Sequence, residues 1–202
     1  MNLYDRILGH PFVYDRIRPL VVGGIDLAPL YNALQATDDD VILDVGCGTG
    51  NALNYLHRFR QYWGFDIDDV AVSHARRTFA NRTGAVFRTK LLDANDLRTL
   101  DPTCVVMGGL LHHLATPDVM ALLGMLRRSL NLRRAVTQDI VYLPGKPVSN
   151  FFARLDRGRH CRSRDGYETL AKDAGFRLVS SSIVPSHPTR GRVQYLIMTL
   201  EP

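Results

Sequence analysis

The sequence has little cysteine: Cys47, Cys104 and Cys161 are scattered over 202 residues, in no CxxC pair and in no His-rich spacing. This scarcity argues against a disulfide framework and a structural zinc site, and implies reduced thiols. Long apolar runs are lacking at the start as well. Met1-Asn2-Leu3-Tyr4-Asp5-Arg6 carries charge early and is followed by Gly9-His10-Pro11, so neither a signal-peptide core nor a membrane span begins there. A cytoplasmic protein is expected. Charge of one sign is not in strong excess: 25 Lys and Arg against 20 Asp and Glu leave a net +5. That would help an anionic partner approach without requiring one. Repeats and low-complexity segments are absent. What is present, 46% hydrophobic and 22% charged residues, suits one ordinary domain over residues 1–202 with room for a core.

Residues 3–8, continuing to 18, and 26–36 are helix-like and precede the acidic turn Thr37-Asp38-Asp39-Asp40. They read as an N-terminal helical cap over 1–40. From Val41 onward, short apolar runs alternate with amphipathic stretches, the pattern of β-α units around a parallel sheet. Strands are predicted at 41–45, 61–65, 85–89, 104–108, 135–141, 177–183 and 194–199. Helices are predicted at 51–59, 69–81, 117–130 and 164–174, the last closed by Gly175. The fold class is therefore α/β, a doubly wound, mostly parallel seven-stranded sheet over 41–202. Residues 143–158, with Pro144, Gly145 and Pro147, show no clear periodicity and read as a long excursion suited to substrate contacts.

The strand Val41-Ile42-Leu43-Asp44-Val45 runs straight into Gly46-Cys47-Gly48-Thr49-Gly50. Three glycines let the chain turn sharply and let a ligand approach where a side chain would collide. A helix beginning near Asn51 would offer free N–H groups to that ligand. Asp66 follows about twenty residues later at a strand end, where a doubly wound fold places a carboxylate for ribose hydroxyls. A dinucleotide fingerprint needs its third glycine later than this pattern gives, and position 51 is Asn. A phosphate-binding P-loop needs GK[ST], which is missing.

Val41 to Gly50 resembles the first signature of class I S-adenosylmethionine-dependent methyltransferases, and Gly64-Phe65-Asp66-Ile67-Asp68 resembles their second. Leu92-Asp93-Ala94 is similar to the third element, and Gly109-Leu110-Leu111-His112-His113-Leu114 to the "LHHL" segment of many small-molecule members. The resemblance covers roughly residues 40–200. It implies S-adenosylmethionine as cofactor and a Rossmann-like sheet. Asp44 with Gly46, Cys47, Gly48 and Gly50 would hold the methionine part. Asp66 would hold the ribose, Ile67 one face of the adenine, and Asp93 with Ala94 the adenine edge.

Methyl transfer from a sulfonium is an in-line displacement, so the protein mainly orients the acceptor and excludes water. A hydroxyl acceptor is the favoured expectation, with His112 or His113 as base and Asp139 orienting the imidazole. The alternatives are methylation of RNA or another macromolecule, and a non-catalytic cofactor-binding scaffold. The Asp/Asn-Pro-Pro-Tyr/Phe segment of amino-group methyltransferases is absent after the fourth strand, and no second and third acid accompany Asp139, so no metal is expected. The stretch Arg154 to Asp165 holds five arginines against two acids, which could receive an acidic small acceptor or an RNA phosphate. Sparse interleaved aromatics argue against nucleic acid. Tyr4, His10, Tyr14 and Arg18 would lie on the cap near the acceptor. Oligomeric state is left open.

Overall fold

Five successive buried residues make Val41–Val45 (β1) the pattern of a central strand covered on both faces. In the computed structural model, which describes residues 24–155 and 159–202, β1 lies between Gln61–Asp66 (β2) and Cys104–Gly108 (β4). Ala85–Thr89 (β3) flanks β2, and Arg134–Tyr142 (β5) flanks β4. These five strands are parallel. The sheet is completed by Gln194–Glu201 (β8), antiparallel to β5, and then Arg177–Pro185 (β7), giving the order β3-β2-β1-β4-β5-β8-β7. A two-residue strand, Arg162–Ser163 (β6), pairs with the end of β5 beside this seven-stranded path.

Helices cover both faces, as a doubly wound sheet requires. Ala28–Leu34 (α1) and Asp69–Thr78 (α2) bury Leu30, Leu34, Val72 and Ala75 against Ile42, Tyr62 and Val106. Thr116–Leu126 (α4) and Arg164–Asp173 (α6) bury Val119, Leu123, Tyr167 and Leu170 against Leu43, Val105 and Met107. The end of α6 is sealed by two bonds, Gly175 N–H to Lys172 O (2.9 Å) and Phe176 N–H to Ala171 O (3.0 Å). Among the described residues no helix is long and apolar enough to cross a membrane.

Two expectations about elements need correction. Residues 51–59 form only a short 3-10 turn, Asn51–Asn54. The Asn54 amide bonds Asn51 Oδ1 (2.7 Å), and Arg82 takes the Leu56 carbonyl (2.8 Å), so local and tertiary partners outcompete a helix ladder. Conversely, the 143–158 excursion contains a helix, Pro147–Leu155 (α5), started by Pro147. A further helix, Ala94–Leu100 (α3), was outside the sequence pattern and is nucleated by a capping box of Asp93 and Asp96. The second cap helix is α1, ended by Gln35 in the left-handed region. The first, with Tyr4, His10, Tyr14 and Arg18, lies outside the described residues.

Register decides what meets at the carboxyl edge. Asp44 is paired with Val106, and Gly108 with Gln138. Partners in neighbouring strands project to one face, and residues two apart share it. Asp44, Gly108 and Gln138 therefore share the α1 face of the sheet.

Candidate functional site

The loop after β1 is tied to the end of β2. The N–H groups of Gly46 and Cys47 donate to Phe65 O (2.8 and 3.0 Å). Gly48 N–H donates to Asp66 Oδ2 (2.8 Å), while Asp66 Oδ1 accepts from Asp68 N–H (2.9 Å). Asp66 thus holds the loop open and its own turn closed.

Beyond the loop is a cavity of about 430 Å³, walled by Asp44, Gly46, Cys47, Gly48 and Thr49 on one side and by Gly108, Gly109, Gln138 and Tyr195 on the other. Ile25, Leu27 and Tyr31 cover it. Tyr31 is held by stacking on Tyr55, ring centroids 5.2 Å apart. Asp44 is 4% exposed and accepts a 2.5 Å hydrogen bond from the Tyr62 hydroxyl. Burial pushes its carboxyl up to about 7; the Tyr62 bond opposes the rise and the nearby Asp66 charge adds to it. Burial also raises the Cys47 thiol, with the Asp44 charge, so it stays protonated as a small wall residue.

The glycines of this loop have separable tasks. Gly50 has φ +77°, and a Cβ there would lie 2.8 Å from two Phe87 ring carbons and 3.1 Å from Ala75 Cβ. Gly48 has φ +50°, but a Cβ there would meet nothing within 4 Å. Gly50→Ala should therefore lose about 2–5 kcal/mol, from left-handed strain plus overpacking. Gly48→Ala should lose only about 1–2 kcal/mol while placing a methyl group where a ligand would lie. Thermal unfolding of the two variants checks this, and equal losses would refute the division.

Ile67 and Asp93 lie beside the cavity rather than in its wall. Ile67 is 70% exposed, a large apolar side chain with no cover. Asp93 caps α3 through Asn95 and Asp96 N–H (2.8 and 2.9 Å) and pairs with Lys90 (2.8 Å). Lys90 and these N–H groups hold its carboxyl down near 2. Ala94 is the first residue of that helix.

His112 and Asp139, 27 residues apart, come together: the imidazole Nδ1 lies 2.8 Å from Asp139 Oδ1, and the His112 backbone N–H donates to the same oxygen (3.1 Å). A carboxylate at that nitrogen sets the tautomer with its proton on Nδ1, leaving Nε2 as the basic nitrogen. The ring is 0% exposed and does not line the cavity. It sits directly behind the wall, since a Cβ on Gly109 would meet His112 Cε1 at 3.7 Å. His113 is exposed, its ring 4.2 Å from that of His112.

Two of the five arginines in the 154–165 stretch are engaged locally. Arg162 donates to the carbonyls of Leu111, Leu114 and His160 (each 2.9 Å), bracing the turn that carries the histidines. Arg164 pairs with Glu168 (2.7 Å). Among the described residues no cation lines the cavity, and none of them form a cluster of three or more His, Cys, Asp or Glu that could hold a metal. Tyr31, Tyr62, Gln138 and Tyr195 escaped the sequence reading. Only Gln138 left a trace, as a polar residue inside the strand Ala-Val-Thr-Gln-Asp-Ile-Val.

Residues 42–132 match the family model described as a methyltransferase domain. The fold is similar to an S-adenosylmethionine-dependent methyltransferase of Methanosarcina mazei (16% identity, 88% of this chain and 98% of that one, TM-score 0.67). It is similar to human N-acetylserotonin methyltransferase in complex with S-adenosylmethionine (15% identity, 99% and 59%, TM-score 0.67). It is also similar to Burkholderia thailandensis 1,6-didemethyltoxoflavin-N1-methyltransferase with bound 1,6-didemethyltoxoflavin and S-adenosylhomocysteine (19% identity, 86% and 75%, TM-score 0.64). No curated protein matches the sequence.

Proposed function

We propose that this protein is an S-adenosylmethionine-dependent methyltransferase that methylates a small molecule at oxygen, a reading supported by the match of residues 42–132 to a methyltransferase-domain family model. The observation that carries the reading is the cradle at Gly48: Asp66 holds its N–H, a Cβ on it would meet nothing within 4 Å, and the buried Asp44 lines the same cavity. The residues fit the cofactor. Asp44 and the loop Gly46, Cys47, Gly48 and Gly50 would hold the methionine part, with Asp44 offering a negative charge to a cationic ligand. Asp66 still has lone pairs for ribose hydroxyls beyond the two N–H groups it accepts from. Ile67 gives an uncovered apolar face for the adenine, and Asp93 with Ala94 stands at its edge. The bound cofactor supplies the electrophilic methyl group on its sulfonium.

His112 is the residue we assign to accept the acceptor's proton, at Nε2, with Asp139 fixing the ring. Gly109 lines the cavity and a Cβ on it would lie 3.7 Å from His112 Cε1, a proximity that supports the assignment. His113, exposed beside it, is not needed for this step.

Asp66→Ala removes the acceptor of two backbone N–H groups and the ribose contact together. Hydrogen bonds to charged groups are worth about 1.5–3 kcal/mol, so affinity for S-adenosylmethionine should fall by one to two orders of magnitude. Calorimetry on the purified chain tests this, and unchanged affinity removes the cofactor assignment. A screen of hydroxylated small molecules with methyl-labelled S-adenosylmethionine, followed by locating the label, tests the acceptor atom.

A further inference from the structure

Three buried polar residues stand in succession on β5, and Gln138 is the one that lines the cavity. It is 2% exposed, and its Oε1 is buried without a hydrogen-bond partner. Its backbone carbonyl is occupied by Gly109 N–H (2.7 Å), which anchors the residue at the cavity wall while its side-chain Oε1 is unpaired. A buried amide oxygen with no partner is costly, and such groups in folded proteins are met by a ligand, a water or a functional demand.

Position says which ligand. β1, β4 and β5 are successive neighbours, and strands lie about 4.8 Å apart, so Gln138 stands about 10 Å across the sheet from the column of Asp44. The glycine loop and Asp44 form the near wall, and Gln138 belongs to the far one with Gly109 and Tyr195. An in-line displacement needs its acceptor on the side of the sulfonium away from the cofactor's own anchors. The chemistry of the wall narrows the acceptor further. Among the described residues Asp44 is the one charge in the wall, so these residues offer an anionic acceptor no counter-ion, and the single carboxylate is already assigned to the cationic cofactor. Leu27, Tyr31 and Tyr195 instead give flat apolar surface.

We propose that Gln138 reads the methyl acceptor, its carboxamide pairing with a neutral, planar ring that carries a hydrogen-bond donor beside an acceptor. The inference rests on the methyl-transfer reading above and adds the substrate class to it. A carboxamide is both donor and acceptor in one plane, so it matches a cis-lactam or an ortho-hydroxy carbonyl in two bonds and rejects an analogue whose donor is blocked. Rejection is strong because the blocked analogue leaves the buried amide unpaired.

The test uses the full chain saturated with S-adenosylhomocysteine and three probes: 2-pyridone, N-methyl-2-pyridone and benzoate. Ligand-observed NMR titration should show 2-pyridone binding about tenfold more tightly than either of the others. Gln138→Leu should erase that preference and leave S-adenosylhomocysteine affinity within about twofold of wild type, with Gln138→Met as the replacement if the leucine variant does not fold. Equal binding of the two pyridones to the wild type overturns the proposal without recourse to any variant, as does a preference for benzoate or no binding of 2-pyridone. A preference that survives Gln138→Leu overturns it too. Loss of S-adenosylhomocysteine affinity in that variant assigns Gln138 to the cofactor instead. Failure of the wild type to bind S-adenosylhomocysteine is the separate result that removes the methyl-transfer reading itself.

Discussion

Asparagine in place of Asp44 is expected to stabilise the cofactor-free protein at pH 8 and to weaken S-adenosylmethionine binding by about a hundredfold. The two effects share one cause. Burial raises the Asp44 carboxyl from the ordinary range to about 7 in the folded chain. Below pH 4 both folded and unfolded forms carry the proton, and the group costs nothing. Between about 4 and 7 the unfolded chain gives up its proton while the folded one keeps it, so stability falls as pH rises. Above 7 the deficit is constant, on the order of 4 kcal/mol. Asparagine never ionises and still accepts from the Tyr62 hydroxyl, so it recovers much of that deficit at pH 8 and almost none at pH 4. For a chain of this size, this is a rise of roughly 10 °C in melting temperature at the higher pH. The ionised carboxylate is tolerated because a cationic ligand uses it, and a charge-assisted hydrogen bond of about 1.5–3 kcal/mol sets the affinity loss. Wild-type affinity should climb with pH up to about 7 and then level, whereas the Asn variant should show no such climb. Scanning fluorimetry across pH and calorimetry in two buffers of different ionisation heat check both arms. An unshifted melting temperature at pH 8 with a pH-independent wild-type affinity would dismiss the account.

The sheet could be read from sequence because its strands announce themselves. Parallel strands covered on both faces are continuous apolar runs, so 41–45 and 104–108 match β1 and β4 residue for residue, and the half-buried edge segment 85–89 also matches β3. The order of strands and the antiparallel seat of β8 follow from no local pattern. Helices were harder. Pro147 hid α5 by breaking the pattern, although Val148, Phe151, Phe152 and Leu155 recur at helical spacing and a proline is at home in a first turn. The region after Gly50 erred the other way, because the claim of Arg82 on the Leu56 carbonyl comes from a residue 26 positions away. At the site, glycines and strand-end acids were legible because ligand chemistry restricts residue type there. Tyr62 beneath Asp44 and the unpaired Oε1 of Gln138 acquire meaning only from register, which a single sequence does not state.

The pairing of His112 with Asp139 leads to the prediction that separates chemistry from support. Removing a positioned base typically costs 10²- to 10⁴-fold in turnover, and that is the loss expected for His112→Asn with the first acceptor that the labelled screen identifies. Asparagine is the informative substitute because its amide nitrogen occupies nearly the place of the imidazole Nδ1. It can go on donating to Asp139, now 2.8 Å away, and so keeps the buried carboxylate partnered. His112→Ala cannot, and stranding a buried charge costs about 3–5 kcal/mol, so its inactivity would mix unfolding with lost catalysis. The Asn variant should therefore melt near the wild type, bind S-adenosylmethionine within about twofold, and turn over hundreds of times more slowly. Asp139→Asn should fail in a related way, because an amide can present its N–H to Nδ1 and invert the tautomer, leaving Nε2 protonated and unable to accept. If His112→Asn turns over at the wild-type rate, the pair is a buried brace for the 111–114 turn, where Arg162 already binds two carbonyls, and the proton must leave the acceptor by another route.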